Sequence, residues 1–194
     1  MTFVVDINVL LDVFQSRQPH YDASARVLSM VCEGRLKGIF PAHGVTTLFY
    51  LIAKNGTRAD AMEAVDRVLS FFEVRCLDKN GWRTARGLPM ADFEDAVVAS
   101  LALALGAALI ITRNVSDFSN APIQAVSPAN FLSGQSLHPL FGRLFFRALA
   151  NVIFFSGHAI PSAWESPFRD RLNKHALSVR SALGTAVSQQ QVLE

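Results

Sequence analysis

The sequence predicts an α/β fold, an α/β/α sandwich in which a mainly parallel central sheet lies between two layers of helices. Short apolar runs typical of buried strands alternate along the chain with segments of helical periodicity, as in parallel sheets. The 194 residues, 51% of them hydrophobic and 18% charged, suffice for a well-packed domain and exclude a disordered chain. Acidic residues recur after the predicted strands, at the edge where such sheets bind ligands.

Five strands are predicted, most of them continuous runs of Val, Ile, Leu and Phe, as expected for strands that are covered on both faces. The first run ends abruptly at Asp6, so the carboxyl end of this strand delivers an acid. The predicted strands are residues 2–5, 37–41, 73–77, 107–111 and 123–126.

Helices are predicted between these strands, because apolar side chains recur at spacings of three and four residues. We expect Gly34 and Gly106 to end two of them, and Ser127 and Pro128 to begin the last. The segment 112–118 is predicted to be a loop, and no helix is predicted between the third strand and residue 92. The predicted helices are residues 9–14, 21–33, 44–54, 58–72 and 92–105, with a final turn at 127–132.

A change of composition near residue 133 predicts a domain boundary, with an α/β domain at 1–133 and a helical C-terminal extension at 134–194. The net charge is only +2, and the excess of Lys and Arg over Asp and Glu lies after residue 134. An apolar stripe along residues 140–153 needs a partner surface, either the α/β domain or a second copy of the chain, and on this ground we expect a homodimer. A membrane surface is disfavoured, because only two arginines line the polar side of this predicted helix.

Other features of the sequence indicate the compartment and the core. No apolar run approaches the ~18 residues of a membrane span and no basic signal-peptide region is seen, so we expect a cytoplasmic protein. Cys32 and Cys76 lie in apolar segments without zinc or CxxC spacing, and we expect both to be reduced core residues. Tyr50 and Trp82 are interpreted either as base-stacking residues or as core residues.

Four acids fall where a parallel sheet places its active site. They are Asp6 after the first strand, Asp92 and Asp95 at the start of a helix, and Asp117 after the fourth strand. Converging carboxylates repel one another unless a cation lies among them, and oxygen ligands select Mg²⁺ or Mn²⁺. Such ions commonly serve in phosphodiester hydrolysis. Capping and the helix dipole also favour acids in a first turn, so a purely structural role for Asp92, Glu94 and Asp95 stays open.

Four segments taken in order carry a family resemblance: residues 4–12, 91–99, 111–118 and 127–132. Together they resemble a PIN domain, and in particular the VapC-type toxin ribonucleases, over residues 2–133. The resemblance implies a metal-dependent endoribonuclease whose acids bind Mg²⁺ or Mn²⁺ and activate water to cleave RNA. It also implies a small antitoxin protein as inhibitor, and a homodimer.

The resemblance assigns roles to individual residues. Asp6 matches the first acid of the family, which is a direct metal ligand. Asp95 matches the acid at the start of the helix before the central strand, and Asp92 is a second candidate for that role. Asp117 matches the acid of the closing loop. The predicted supporting residues are Asn8 and Asn114 as amides near metal or substrate, and Thr112 as a hydroxyl that holds a carboxylate or a metal-bound water. Arg17 and Arg113 are candidates for contacts to RNA phosphates.

The sequence departs from the family at one place. Many PIN domains carry a glutamate in the helix after the second strand, whereas Thr46 and Thr47 occupy that neighbourhood here. The loss of a carboxylate weakens metal affinity unless Asp92 or Glu94 compensates. A catalytically inactive PIN domain that binds RNA or protein is therefore an alternative function. A phosphatase of the haloacid dehalogenase type is a third, disfavoured by Asn8 at the position of the acid/base aspartate.

Overall fold

The computed structural model describes residues 1–134, which form a five-stranded sheet. All strand pairs within it are parallel, and the order across the sheet is β3-β2-β1-β4-β5. Strand β1 therefore lies at the centre, where Val5 pairs with Ile111 of β4. The strands are β1 (Thr2–Val5), β2 (Lys37–Pro41), β3 (Glu73–Arg75), β4 (Leu109–Ile111) and β5 (Ala125–Val126).

Within residues 1–134, seven α-helices connect or follow these strands, and one 3-10 helix lies between β4 and β5. The α/β/α architecture with a parallel sheet is confirmed. The helices are α1 (Ile7–Phe14), α2 (Tyr21–Cys32), α3 (Ala42–Asn55), α4 (Arg58–Phe71), α5 (Lys79–Gly87), α6 (Phe93–Ala104) and α7 (Pro128–Ser133), and the 3-10 helix is Val115–Phe118.

Alternate side chains of the strands point into two different cores, as the pleat of a β-strand requires. On one face Val4, Ile39 and Ile110 pack with apolar residues of α6. On the other face the Phe3 ring meets Phe131 of α7 edge-on, with ring centroids 5.4 Å apart. Helices α5 and α6 pack together on the first face, and α2 packs with α7 on the second. The two layers are thus built from different parts of the chain.

The predicted helix ends are confirmed at two glycines. Gly34 after α2 and Gly106 after α6 have φ angles of 69° and 58°, in the left-handed region where glycine has no steric penalty. Ser127 caps α7 by accepting the Asn130 N–H at 3.1 Å, with Pro128 in the first helical position. These local signals predict boundaries well because they depend on only a few neighbouring residues.

Four predictions about local structure are wrong. Helix α5 occupies a stretch where none was predicted, because its sequence is polar and buries only Ala85. Part of the predicted loop 112–118 is the 3-10 helix, and β3, β4 and β5 are shorter than predicted. Cys76 is exposed and Cys32 half-buried, with no disulfide between them, so Cys76 is not a core residue.

The predicted extension at 134–194, including the apolar stripe expected to pack on the domain or on a second copy, lies outside the described residues except for Gly134. Within residues 1–134 the structure contains no helix that combines the length and the hydropathy needed to cross a membrane.

Candidate active site

The carboxyl ends of the two central strands bring Asp6 and Thr112 side by side. Both residues directly follow a strand, and β1 and β4 are adjacent and parallel, so they end at the same edge of the sheet. The Asp6 N–H donates to the Ile111 carbonyl at 2.9 Å, which extends the ladder by one residue. The first predicted acid is therefore held by the backbone of the sheet itself.

Asn8 and Thr112 hold the Asp6 carboxylate through a closed set of hydrogen bonds. The Thr112 hydroxyl and the Asn8 Nδ2 each donate to Asp6 Oδ2 at 2.7 Å. Asn8 Nδ2 lies 3.0 Å from Thr112 Oγ1, and Thr112 Oγ1 in turn accepts the N–H of Asn114 at 3.1 Å. The Thr112 hydroxyl, for which the sequence predicted contact with a carboxylate or a metal-bound water, donates to a carboxylate in this structure.

Burial raises the pKa of Asp6 to about 6, since the side chain is only 5% exposed. The Thr112 hydroxyl and the backbone N–H of Ile7 oppose this by hydrogen bonding to the charged form, and Arg113 opposes it by its positive charge. The charge of Glu94 adds to the increase. Near neutral pH the carboxylate is formed, but at an energetic cost that a bound cation would relieve.

The pKa of Asp95, in the first turn of α6, is affected by the charges of all the other predicted acids. The pKa of Asp95 is raised to about 7, first by burial and then by the negative charges of Asp6, Asp92, Asp117 and Glu94, in that order. The predicted acids therefore lie near one another in the fold, although Asp6 is near the start of the domain sequence and Asp117 is near its end. Like charges gathered without a counterion are the electrostatic condition that favours cation binding.

Asp92 and Glu94 also have structural partners. Asp92 is the N-cap of α6, and its Oδ1 accepts the N–H groups of Glu94 at 2.7 Å and Asp95 at 3.2 Å. Glu94 Oε1 lies 3.9 Å from Nε2 of His43. Burial lowers the pKa of His43, and the negative charge of Glu94 partly opposes this decrease. Asp92 thus caps the helix, and the charges of Asp92 and Glu94 also contribute to the raised pKa of Asp95.

The segment after β4 carries the remaining predicted residues, Arg113, Asn114 and Asp117. The Arg113 N–H donates to Asn8 Oδ1 at 2.9 Å, so both ends of the Asn8 amide are engaged. Asn114 precedes the 3-10 helix that carries Asp117, and Asp117 is exposed, with the Ser116 hydroxyl 3.2 Å from its Oδ1. The loop is thereby fixed to the Asp6 network.

Asp12 is a functional candidate that sequence reasoning missed. It is fully buried, accepts from Arg113 Nη1 at 2.8 Å, and accepts from the Ser24 hydroxyl at 3.0 Å. An acid within the otherwise apolar helix α1 was the available signal. Arg113 is therefore anchored to a buried acid, while the half-buried Arg17 donates from Nε to Gln15 Oε1 at 2.9 Å.

The threonines at the position of the absent glutamate bond to their own helix. The hydroxyls of Thr46 and Thr47 donate to the His43 carbonyl at 2.9 and 3.5 Å. Glu94 of α6 instead faces His43 in the first turn of α3, with its Oε1 3.9 Å from the His43 Nε2. An acid from α6 thus reaches the helix from which the family acid is missing.

The donor set suits a hard divalent cation in its chemistry, because it combines several carboxylates with amide and hydroxyl oxygens. Among residues 1–134, however, no three His, Cys, Asp or Glu side chains form a ready-made metal-binding cluster. The acids are near enough to raise the pKa of Asp95, but they are not closed around a single point.

A parallel α/β sheet with Asp6 at the carboxyl end of its central strand, and with Asp95 in the first turn of a neighbouring helix, defines a class of proteins with an acidic site at the sheet edge. A family model for the PIN domain matches residues 2–116, which is more than half of the chain. The chain therefore belongs to the PIN domain family. No curated protein matches the sequence.

The fold is similar to those of several solved structures. FitAcB from Neisseria gonorrhoeae is 17% identical with a TM-score of 0.52, and the match covers 66% of this chain and 98% of that one. VapBC2 from Rickettsia felis, bound to a DNA fragment from its promoter, is 17% identical with a TM-score of 0.50 over 66% and 98%. DNA-bound VapBC from Salmonella typhimurium is 16% identical with a TM-score of 0.50 over 66% and 98%. At these identities the likeness shows the fold.

Proposed function

We propose that this protein is a Mg²⁺- or Mn²⁺-dependent endoribonuclease that hydrolyses RNA phosphodiesters. The observation that carries the proposal is the buried Asp6 carboxylate, which lies at the carboxyl end of β1, is held by two side-chain donors, and is accompanied by acids whose charges raise the pKa of Asp95. A group of carboxylates that repel one another at the ligand-binding edge of a parallel sheet is suited to bind a hard divalent cation.

The residues that would hold the cation are Asp6, Asp95 and Asp117, with Asp92 beside them. A divalent cation at such a site lowers the pKa of water and offsets the negative charge of a phosphodiester. Thr112 and Asn8 are positioning residues, since both donate to Asp6 Oδ2 and so fix the orientation of this carboxylate. Glu94 is proposed to compensate in charge for the acid missing from α3.

The geometry of Asn8 argues against the phosphatase alternative. A haloacid dehalogenase-type reaction needs an acid/base group two residues after the nucleophile. Asn8 instead uses its amide to donate to Asp6 and its carbonyl to accept from Arg113. The residue therefore supports the carboxylate and cannot transfer a proton in place of an aspartate.

A catalytically inactive PIN domain that binds RNA or protein is the second candidate function. Two observations favour it: α3 supplies no carboxylate at Thr46 or Thr47, and the described residues contain no closed group of three metal-binding side chains. Under this alternative the acids would stay too far apart to bind a cation.

The experiment is cleavage of labelled structured and single-stranded RNAs with Mg²⁺, Mn²⁺ or EDTA, together with calorimetry of Mn²⁺ binding. The variants are Asp6→Asn and Asp95→Asn, with Asp66→Asn at an exposed acid of α4 as the matched control. Metal-dependent cleavage that is lost in the two site variants and kept in the control supports the nuclease. Absence of both cleavage and Mn²⁺ binding supports the inactive module, and cleavage that survives both substitutions comes from a contaminant.

The resemblance to VapC-type toxins extends the proposal to partners. We propose a small antitoxin protein as inhibitor, a homodimeric assembly, and action in the cytoplasm, where RNA is the substrate. Co-purification of a neighbouring gene product that suppresses cleavage, and a molar mass twice that of the chain by light scattering, are the expected results.

A further inference from the structure

The outer face of α5 carries positive charge and an aromatic ring. Lys79, Trp82, Arg83 and Arg86 are spaced three and four residues apart, so they share one side of the helix, and all four are exposed. The opposite side contacts α6, where the Ser100 hydroxyl donates to the Gly81 carbonyl at 2.9 Å. The helix itself contains no acid, and within residues 1–134 none of its three cations forms an ion pair with an acidic side chain.

Phe93 of α6 extends this face towards the acidic site. The rings of Trp82 and Phe93 have centroids 6.1 Å apart, and the Trp82 ring lies 6.3 Å from that of His43. Trp82 is 41% exposed and Phe93 is 53% exposed, which is unusual for large apolar side chains. Phe93 also stands directly between Asp92 and Glu94 in the chain, so the aromatic rings border the group of acids.

We propose that Lys79, Trp82, Arg83, Arg86 and Phe93 form a binding platform for single-stranded RNA next to the acidic site. The rings stack on bases, and the three cations contact phosphates on the same strand. This inference rests on the proposed nuclease function for the identity of the ligand, and it names the residues that position the substrate beside the acids.

Single-stranded RNA fits this platform better than a protein partner or duplex RNA. Exposed rings interleaved with Lys and Arg bind single strands, because every base has a face to stack on and every nucleotide carries a negative charge. In a duplex the base faces are covered by their neighbours, so the rings would have nothing to stack on. An acidic peptide would satisfy the cations but would leave Trp82 and Phe93 without flat partners.

The test is fluorescence anisotropy of a labelled 12-nucleotide RNA of mixed sequence with the full chain in EDTA, so that binding is measured without cleavage. Trp82→Ala is expected to weaken binding about tenfold, the size found for loss of one base-stacking ring. Replacing Arg83 and Arg86 together by alanine is expected to lower the slope of log affinity against log salt by about 1.4, the value for two phosphate contacts on a single strand.

The matched controls lie away from this face. Leu103→Ala truncates an exposed apolar residue at the far end of α6, and the pair Arg26→Ala and Lys54→Ala removes two cations from α2 and α3. Affinity unchanged in the α5 variants, or lowered equally in the controls, overturns the platform. Equal affinity for a duplex of the same sequence also overturns it.

The two proposals fail in distinguishable ways. RNA that binds in EDTA with Trp82 dependence but is never cleaved by the metal-loaded protein supports the platform and overturns the nuclease. Metal-dependent cleavage whose KM is unaffected by Trp82→Ala supports the nuclease and overturns the platform. If the α5 variants leave RNA binding unchanged but abolish capture of an antitoxin, the face belongs to a protein partner and the RNA assignment is wrong.

Discussion

At the scale of single residues, the central feature is a carboxylate whose charged form is destabilised by burial but whose position is fixed by two hydrogen-bond donors. Asp6 is buried by the sheet edge, while Thr112 and Asn8 both bond to its Oδ2. A carboxamide oxygen at the position of Oδ2 accepts the same two hydrogen bonds, so Asp6→Asn keeps the contacts to Thr112 and Asn8 and removes the ionisation. This makes the variant a clean probe of charge.

The raised pKa values predict that stability falls as the pH rises. The pKa of Asp6 is about 6 in the folded chain against an ordinary 3.8, so between these values the folded protein keeps a proton that the unfolded chain has lost. The free energy of unfolding therefore declines from about pH 4 to pH 7, by roughly 3 kcal/mol for Asp6. Asp95 acts in the same direction with a smaller effect, because solvent screens this half-buried group.

We expect the Tm of the metal-free protein to be at least about 5 °C lower at pH 8 than at pH 5, measured by calorimetry in EDTA. In Asp6→Asn the difference between the two pH values should shrink markedly, whereas Asp66→Asn should behave like the parent protein. If the Tm of the parent protein rises from pH 5 to pH 8, the raised pKa of Asp6 is contradicted.

The buried pair of Asp12 and Arg113 predicts a second stability effect. The Asp12 side chain has no solvent exposure and that of Arg113 is 27% exposed, so Arg113→Met leaves an uncompensated charge beside Ser24. We expect the free energy of unfolding to fall by about 3 kcal/mol in urea denaturation. Adding Asp12→Asn should recover part of this loss, and a double variant no more stable than the single one would show that the pair is not the cause.

At the scale of elements, α4 begins with a reciprocal capping box. The Thr57 hydroxyl accepts the Asp60 N–H at 3.1 Å, and Asp60 Oδ2 accepts the Thr57 N–H at 3.0 Å. We expect Thr57→Ala to lower the free energy of unfolding by about 1 kcal/mol and Thr57→Ser to leave it nearly unchanged. Thr84→Ala, on the exposed side of α5, is the control, and an equal loss there would argue against capping as the cause.

The elements also show which parts of the structure can be predicted from sequence. Apolar runs predicted all five strands, and glycines and Ser127 predicted three helix boundaries, because those signals are local. Helix α5 has no apolar periodicity, since only Ala85 is buried, and its one local signal was the N-cap Asp78, which accepts the Gly81 N–H at 2.8 Å. Of the candidate site, the acids were predictable because they follow strands or begin a helix. The engagement of Asp12 with Arg113 was not, because it joins residues 101 apart.

At the scale of the whole molecule, cation binding should be linked to folding. A ligand that binds only the folded chain stabilises it according to its concentration, by about 2.7 kcal/mol at a hundredfold excess over Kd. We expect Mn²⁺ to raise the Tm by several degrees at pH 8 and by much less at pH 5, where protons compete for Asp6 and Asp95. Asp95→Asn should abolish the Mn²⁺-dependent increase, and an equal increase in that variant would place the cation elsewhere.

The separation of Asp6 from Thr112 along the chain has a consequence during synthesis. Strand β1 is made first, but its neighbour β4 follows about a hundred residues later, after the chain has crossed from one layer to the other. A partly translated chain that stops before β4 lacks both the hydroxyl that orients Asp6 and the loop that carries Asp117. No nascent fragment shorter than that can assemble the proposed nuclease site, so the topology delays the completion of this site until nearly the whole domain has been made.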